Sequence, residues 1–151
     1  MKKLSVLFLI TVLSIAAAAQ TKYKTYRNAR FGYAISYPAD LLKPQGEAQN
    51  GDGQVFTSDE AEMRVFGSNM LVNETLLKEF NAVIAEFGAE NVTYKTYRKN
   101  FFVVSGVKDG KIFYQKTMAK NGAFITFMTE YDESARGVYD KAVAQMVKSF
   151  R

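Results

Sequence analysis

Ser105 and Lys108 stand three residues apart, in the S-x-x-K spacing that sets a lysine amine beside a serine hydroxyl when both lie on one helical turn. Here the pair ends a strand-like run, where residues three apart point to opposite faces, so the entry to a hairpin is the preferred reading. Carboxylates gather at Asp59, Glu60 and Glu62, and again at Glu130, Asp132 and Glu133. Glycoside hydrolysis would need two of them facing each other across a cleft; a charged turn and a helix N-terminus explain the two groups more simply. Asn50-Gly51-Asp52-Gly53 shares residue types with calcium loops but lacks oxygen ligands at alternate positions and a closing bidentate Glu. No glycine array follows a strand and opens a helix, so neither dinucleotide nor P-loop binding is supported. The chain also contains no histidine and no cysteine. Ser-His and Cys-His nucleophiles, zinc held by nitrogen or sulfur, iron–sulfur clusters and the usual haem ligation are therefore closed, and neither cofactor nor metal is expected.

Recognition has better candidates. Tyr26, Tyr94 and Tyr97 interleave with Lys24, Arg27, Lys95, Arg98 and Lys99, and the string Tyr23-Lys24-Thr25-Tyr26-Arg27 recurs as Tyr94-Lys95-Thr96-Tyr97-Arg98. Aromatic faces beside fixed cations suit anionic or carbohydrate ligands and protein partners, which makes Lys24, Tyr26, Arg27, Tyr94, Lys95, Tyr97 and Arg98 a candidate recognition surface. The plainer reading is a pair of solvated strands carrying amphipathic tyrosines. The flanks of the two strings diverge within a few positions, whereas a duplicated unit would extend over tens of residues. Asn73-Glu74-Thr75 and Asn91-Val92-Thr93 are N-glycosylation strings that matter only in a eukaryotic secretory pathway.

The elements that must position these residues begin with a leader. Lys2-Lys3, an apolar run from Leu4 to Ile15 and the small residues Ala16 to Ala19 have the three-part layout of a secretory signal peptide, with cleavage expected between Ala19 and Gln20. The apolar run is shorter than the roughly 20 residues of a spanning helix. Residues 20–151 are then one exported domain, periplasmic or secreted, with no stable membrane anchor. Without Lys2 and Lys3 the formal charge falls from +5 to +3, too weak to argue for nucleic acid. With no disulfide possible, the 9 Tyr and all of the 12 Phe except Phe8 of the leader must supply an ordinary packed core.

Along that domain, Tyr33, Ile35 and Tyr37 alternate with Ala34 and Ser36 up to Pro38, a half-buried strand. Ala39 to Gly53 reads as the longest loop. Gln54 to Ser58 and Ala61 to Gly67 predict a hairpin turned at Asp59-Glu60. Leu76, Leu77, Phe80, Val83, Ile84 and Phe87 form one helical stripe, with Asn73 as its N-cap and Gly88 as its end. Four strands follow, about Val92 to Arg98, Phe101 to Val107, Lys111 to Ala119 and Ala123 to Tyr131. Asp109-Gly110 and Asn121-Gly122 suit type I′ turns between them. Phe101-Phe102-Val103-Val104, apolar on both faces, suggests a central strand. A last helix, starting near Asp132 or Ser134, carries Val138, Tyr139, Ala142, Val143, Met146, Val147 and Phe150 on one face. The fold class is α+β: an antiparallel meander of about six strands flanked by two main helices.

The strand Phe31-Gly32-Tyr33-Ala34-Ile35-Ser36-Tyr37-Pro38-Ala39-Asp40 and the terminal Lys148-Ser149-Phe150 make the chain resemble the PsbP-like superfamily. That group includes extrinsic photosystem subunits, a Ran-binding nuclear import factor and many secreted bacterial proteins. The resemblance implies an antiparallel sheet sandwiched between helices, and a binding or assembly role rather than catalysis. The expectation is an exported non-catalytic accessory module whose partner is another protein or an envelope component. Alternatives are a carrier holding a small apolar or anionic ligand between sheet and helix and, behind it, a carboxylate or Ser-Lys enzyme.

Overall fold

The computed structural model describes residues 21–151; the expected leader, with its cleavage point at Ala19 and Gln20, lies outside the described residues. Among the described residues, nine strands form two antiparallel sheets. β1 (Tyr23–Asn28) and β2 (Tyr33–Pro38) make a separate hairpin. β3 (Lys43–Glu47), β4 (Gly53–Thr57), β5 (Ala61–Asn69), β6 (Val92–Tyr97), β7 (Phe101–Lys108), β8 (Lys111–Lys120) and β9 (Ala123–Asp132) make a seven-stranded sheet in the order β3-β4-β5-β9-β8-β7-β6. Two helices, α1 (Leu76–Phe87) and α2 (Arg136–Ser149), complete the α+β architecture.

The antiparallel sheet flanked by two main helices is as expected; within it the strands form two hairpin runs, joined where β5 pairs along its whole length with β9. The extra strand of the large sheet is β3, inside the stretch read as a loop. It was illegible because all five of its residues are exposed and it contains Pro44 and Gly46. Such a sequence is tolerated only at a sheet edge, where a missing N–H faces solvent, and a register shift between Pro44 and Glu47 absorbs the irregularity.

Strand alternation divides the large sheet into two faces. On β8 and β9, Phe113 and Phe124 turn toward α1, joining Leu76, Val83, Phe87, Phe102 and Val104 in one apolar cluster. Their neighbours Ile112 and Ile125 turn to the other face, against α2 and β2. There Tyr33, Ile35 and Tyr37 of β2 and Tyr139, Val143, Met146 and Phe150 of the α2 segment pack over Phe56, Met63, Val65 and Phe127.

The two covers are offset. α1 packs on β6 and β7, at one end of the sheet, while α2 and the hairpin sit over β4, β5 and β9. Neither helix packs extensively over the α2 face of β6 and β7 or the α1 face of β3–β5, although Val103 of β7 and Ile112 of β8 are buried on the α2 face and Phe150 reaches Lys116 of β8. The apolar run Phe101 to Val104 consequently belongs to β7, next to the edge strand, and the central strand is β9. Phe102 and Val104 are buried under α1, whereas Phe101 on the other face stays half-exposed.

Local chemistry explains the remaining boundaries. The N-cap of α1 is Thr75, whose Oγ1 accepts the Lys78 N–H at 3.2 Å, and not Asn73. Asn73 instead takes a left-handed conformation (φ 73°) and its carbonyl accepts Lys78 Nζ. Gly88, at φ 86°, ends the helix as expected. Leu77 and Val138, each 51% exposed, drop out of the expected stripes because they lie at the flank of their helices. β9 runs on to Asp132 and a 3-10 turn, Glu133–Ala135, precedes α2, so this helix starts later than expected. Asp109-Gly110 and Asn121-Gly122 have φ of 51° and 75°, and of 52° and 76°, the positive pairs that type I′ turns require.

Candidate functional site

The two tyrosine-rich basic strings become β1 and β6, both strands with mostly exposed side chains. They lie far apart. Tyr26 of β1 packs against Phe56 of β4 (ring centroids 6.1 Å), and β6 is five positions further along the sheet, about 24 Å at ~4.8 Å per strand. The seven candidate residues therefore occupy two surfaces.

At β1 the alternation of side chains separates Tyr26 from Arg27. Tyr26 and Asn28 face inward, where Tyr26 Oη donates to Glu47 Oε1 at 2.7 Å. Asn28 Nδ2 donates to Tyr26 Oη (3.0 Å) and to the Gly51 carbonyl (2.9 Å), with a longer approach to Glu47 at 3.2 Å, while Asn28 Oδ1 accepts the Phe31 N–H (2.8 Å). Tyr33 Oη donates to the Asp52 and Val65 carbonyls. Burial, followed by the adjacent Tyr26, pushes the Tyr33 phenol far up, and burial also raises Tyr26. These phenols are neutral donors that pin residues 47–53 to the hairpin. Arg27, between Tyr26 and Asn28, points to the opposite face, and Lys24, on the face of Tyr26, is exposed towards the end of the strand.

At β6 the set is open. Tyr94 is 57% exposed on the α2 face, and Lys95, Arg98 and Lys99 are exposed. Tyr97 turns to the α1 face and packs on Phe80 of α1, with ring centroids 5.5 Å apart. From Val92 to Val107 the chain contains Lys95, Arg98 and Lys99 and no acidic residue. The uncovered α2 face continues this surface onto β7 and β8. Lys116 Nζ lies over the Phe101 ring (5.5 Å) and the Phe150 ring (5.7 Å), and burial lowers its pKa. The Tyr114 phenol beside it is pushed up to about 12 by burial and by the proximity of Tyr94. Sequence reasoning missed Phe101, Tyr114 and Lys116 because the alternating pattern shows which residues share a face, but not that this half of the face lacks a helix.

The catalytic candidates resolve into structural roles. Ser105 and Lys108 lie on opposite faces of β7; Ser105 Oγ donates to the Phe113 carbonyl at 2.8 Å and Lys108 Nζ to the Glu86 carbonyl at 3.3 Å. Asp132 pairs with Lys111 and Glu133 with Arg136. Asn50 Nδ2 donates to Asp52 Oδ2 at 2.6 Å, closing the Asn50-Gly51-Asp52 turn on itself. Glu62 and Glu130 are direct partners across β5 and β9 and share a cleft of about 170 Å³ with Glu86, where the Arg64 guanidinium clamps Glu62. Among the described residues no three acidic side chains are grouped so as to hold a metal ion, and no helix is long and apolar enough to cross a membrane.

No protein-family model and no curated protein matches this chain. Among solved structures it is similar to the solution structure of cyanobacterial PsbP (CyanoP) from Synechocystis sp. PCC 6803. The two share 14% identity over 91% of this chain and 96% of that one, with a TM-score of 0.62. At that identity the likeness is one of architecture alone: the chain has a PsbP-like fold.

Proposed function

We propose that this protein is an exported, non-catalytic accessory module that docks an acidic face of another protein through the edge strand β6 and the uncovered sheet face beside it. The observation that carries the proposal is the concentration of Lys95, Arg98 and Lys99 at one free sheet edge, without an intervening acid, next to the exposed ring of Tyr94. Interfaces favour such a combination of aromatic area and basic charge. The Lys95 side chain and the register shift between Val92 and Tyr94 guard the edge against indiscriminate strand pairing, so recognition runs through side chains rather than through backbone addition. The likeness to an accessory-type fold supports the same reading, as does the apolar floor that Phe101 and Met118 add to the charged rim.

Catalysis ranks behind it. The glutamate cleft is smaller than the roughly 300 Å³ at which ligand pockets begin, and one of its three carboxylates is engaged by Arg64.

The test is affinity capture of the full-length chain from its exported fraction, repeated with Lys95→Glu/Arg98→Glu/Lys99→Glu and with the control Lys43→Glu on the opposite edge. The expected result is one acidic protein recovered by the wild type and the control, lost with the triple variant, and bound more weakly as salt is raised. Recovery of the same protein by the triple variant would refute the assignment.

A further inference from the structure

A second group of cations converges elsewhere. Arg27, Lys120 and Arg151, from three distant parts of the chain, line one cleft of about 450 Å³ together with Asn28, Gly32, Tyr33 and Ala34. No acidic side chain lines it, the Arg151 main-chain oxygen beside it is taken up by the Ala34 N–H at 2.9 Å, and among the described residues none of the three cationic side chains takes part in an ion pair.

The backbone fixes how they meet. Arg27 pairs directly with Ala34 across the hairpin. On its other side Ala34 exchanges two backbone hydrogen bonds with Arg151, N–H to carbonyl at 2.9 Å and carbonyl to N–H at 3.2 Å. The three residues thus form one cross-strand row. Directly opposed residues project to the same face, and the two arginines flank a methyl group with their Cα atoms about 10 Å apart, at ~4.8 Å per strand. A large residue at position 34 would fill the space between the guanidiniums; alanine leaves a notch. Lys120 reaches this row from the end of β8, its Nζ donating to the Gly32 carbonyl at 3.1 Å.

We propose that this notch is an anion site that binds a phosphate group, carried either by a small solute or by a lipid headgroup. Two planar forks and one ammonium around a single cleft match the several oxygens and the double charge of a phosphomonoester better than they match a monovalent ion. The cleft is too compact to follow a polyanion, and it has room for the phosphate and a small body attached to it. The site lies at the hairpin, away from β6, and does not depend on the docking surface proposed above.

Inorganic phosphate titrated into the isotope-labelled protein, against chloride at matched ionic strength, tests it directly. Saturable shifts of the Gly32, Ala34 and Arg151 amides are expected with phosphate only. Arg27→Gln and Arg151→Gln should each weaken binding about tenfold, the equivalent of ~1.4 kcal/mol for a charge-assisted contact at an exposed site. Among the described residues neither side chain makes a hydrogen bond, so neither variant should unfold the protein, whereas Lys24→Gln on the same hairpin should bind as the wild type does. A parallel arm measures sedimentation with phosphatidylcholine vesicles containing phosphatidic acid. Arginine-dependent binding to vesicles but not to free phosphate assigns the lipid source, and the reverse assigns the solute. Non-saturating shifts equal to those from chloride with no vesicle binding, or binding unchanged in both arginine variants, would overturn the site.

Discussion

Replacing Asn28 by alanine should cost about 3 kcal/mol, because the side chain is 2% exposed and fully engaged. Its Nδ2 carries two hydrogens for three acceptors, Tyr26 Oη, Gly51 O and Glu47 Oε1, so two donated bonds act at full strength; the Phe31 N–H adds one accepted bond. At ~1 kcal/mol per buried hydrogen bond, these three sum to about 3 kcal/mol. The charge on Glu47 earns no premium, since that carboxylate is open to water and screened. The unfolding entropy of a domain of about 130 residues converts this loss into a fall in melting temperature of about 10 °C. Urea unfolding followed by circular dichroism measures the free energy, and amide exchange at Phe31, Tyr33 and Gly51 reports whether the hairpin tip loosens first. A loss below about 1 kcal/mol would mean that water already satisfies these groups. The polar cluster would then not be what holds residues 47–53 against the hairpin, and the anion cleft beside Arg27 would have no rigid floor.

Gly106→Ala should destabilise by about 3 kcal/mol in the same assay, the upper end for overpacking, because a Cβ there would run into the Asn91 backbone carbonyl and approach Phe113 Cζ at 2.8 Å; unchanged stability would show that the short 3-10 turn Ala89–Asn91, between α1 and β6, can move aside. Alkali should unfold the protein through its phenols. Burial raises Tyr33, Tyr131 and Tyr114, the last to about 12, so the folded state keeps protons that the unfolded chain releases near pH 10. The stabilisation is complete below pH 10 and is lost as pH rises through the folded values; Lys116, lowered by burial, acts in the opposite sense but is outnumbered by the raised phenols. Phenolate absorbance from these tyrosines should therefore appear together with loss of circular dichroism, and ionisation of all 9 tyrosines near pH 10 with the fold intact would contradict it.

Much of the framework was readable because its signals are local. Asn121-Gly122 and Asp109-Gly110 each determine their own turn through two positive φ angles, and the stripe Leu76, Val83, Phe87 needs only its own periodicity to bury. What was not readable depends on partners remote in sequence. β3 is a strand only because β4 offers it an edge, and Asn73 lost the cap to Thr75 because Glu74 accepts the Leu71 N–H at 2.7 Å in a preceding turn. The β5–β9 pairing joins residues more than fifty apart, and no local pattern on either strand specifies it.

The same distinction explains how one candidate surface became two. Tyr26 and Arg27 look like one motif in sequence, yet strand alternation sends the tyrosine into a polar cluster and the arginine outward. The functional neighbours of Arg27 are then set by pairing rather than adjacency: Ala34 across the hairpin, and through it Arg151, at the far end of the described chain. At β6 alternation again sends Tyr94 and Lys95 to opposite faces, but no described strand lies beyond them, so both, with Arg98, stay exposed along one edge. Repeated Tyr-Lys-Thr-Tyr-Arg strings thus do not imply repeated roles. A strand in a covering hairpin spends its inward tyrosine on cohesion, and a strand at a bare edge has its aromatic and basic residues available to a partner.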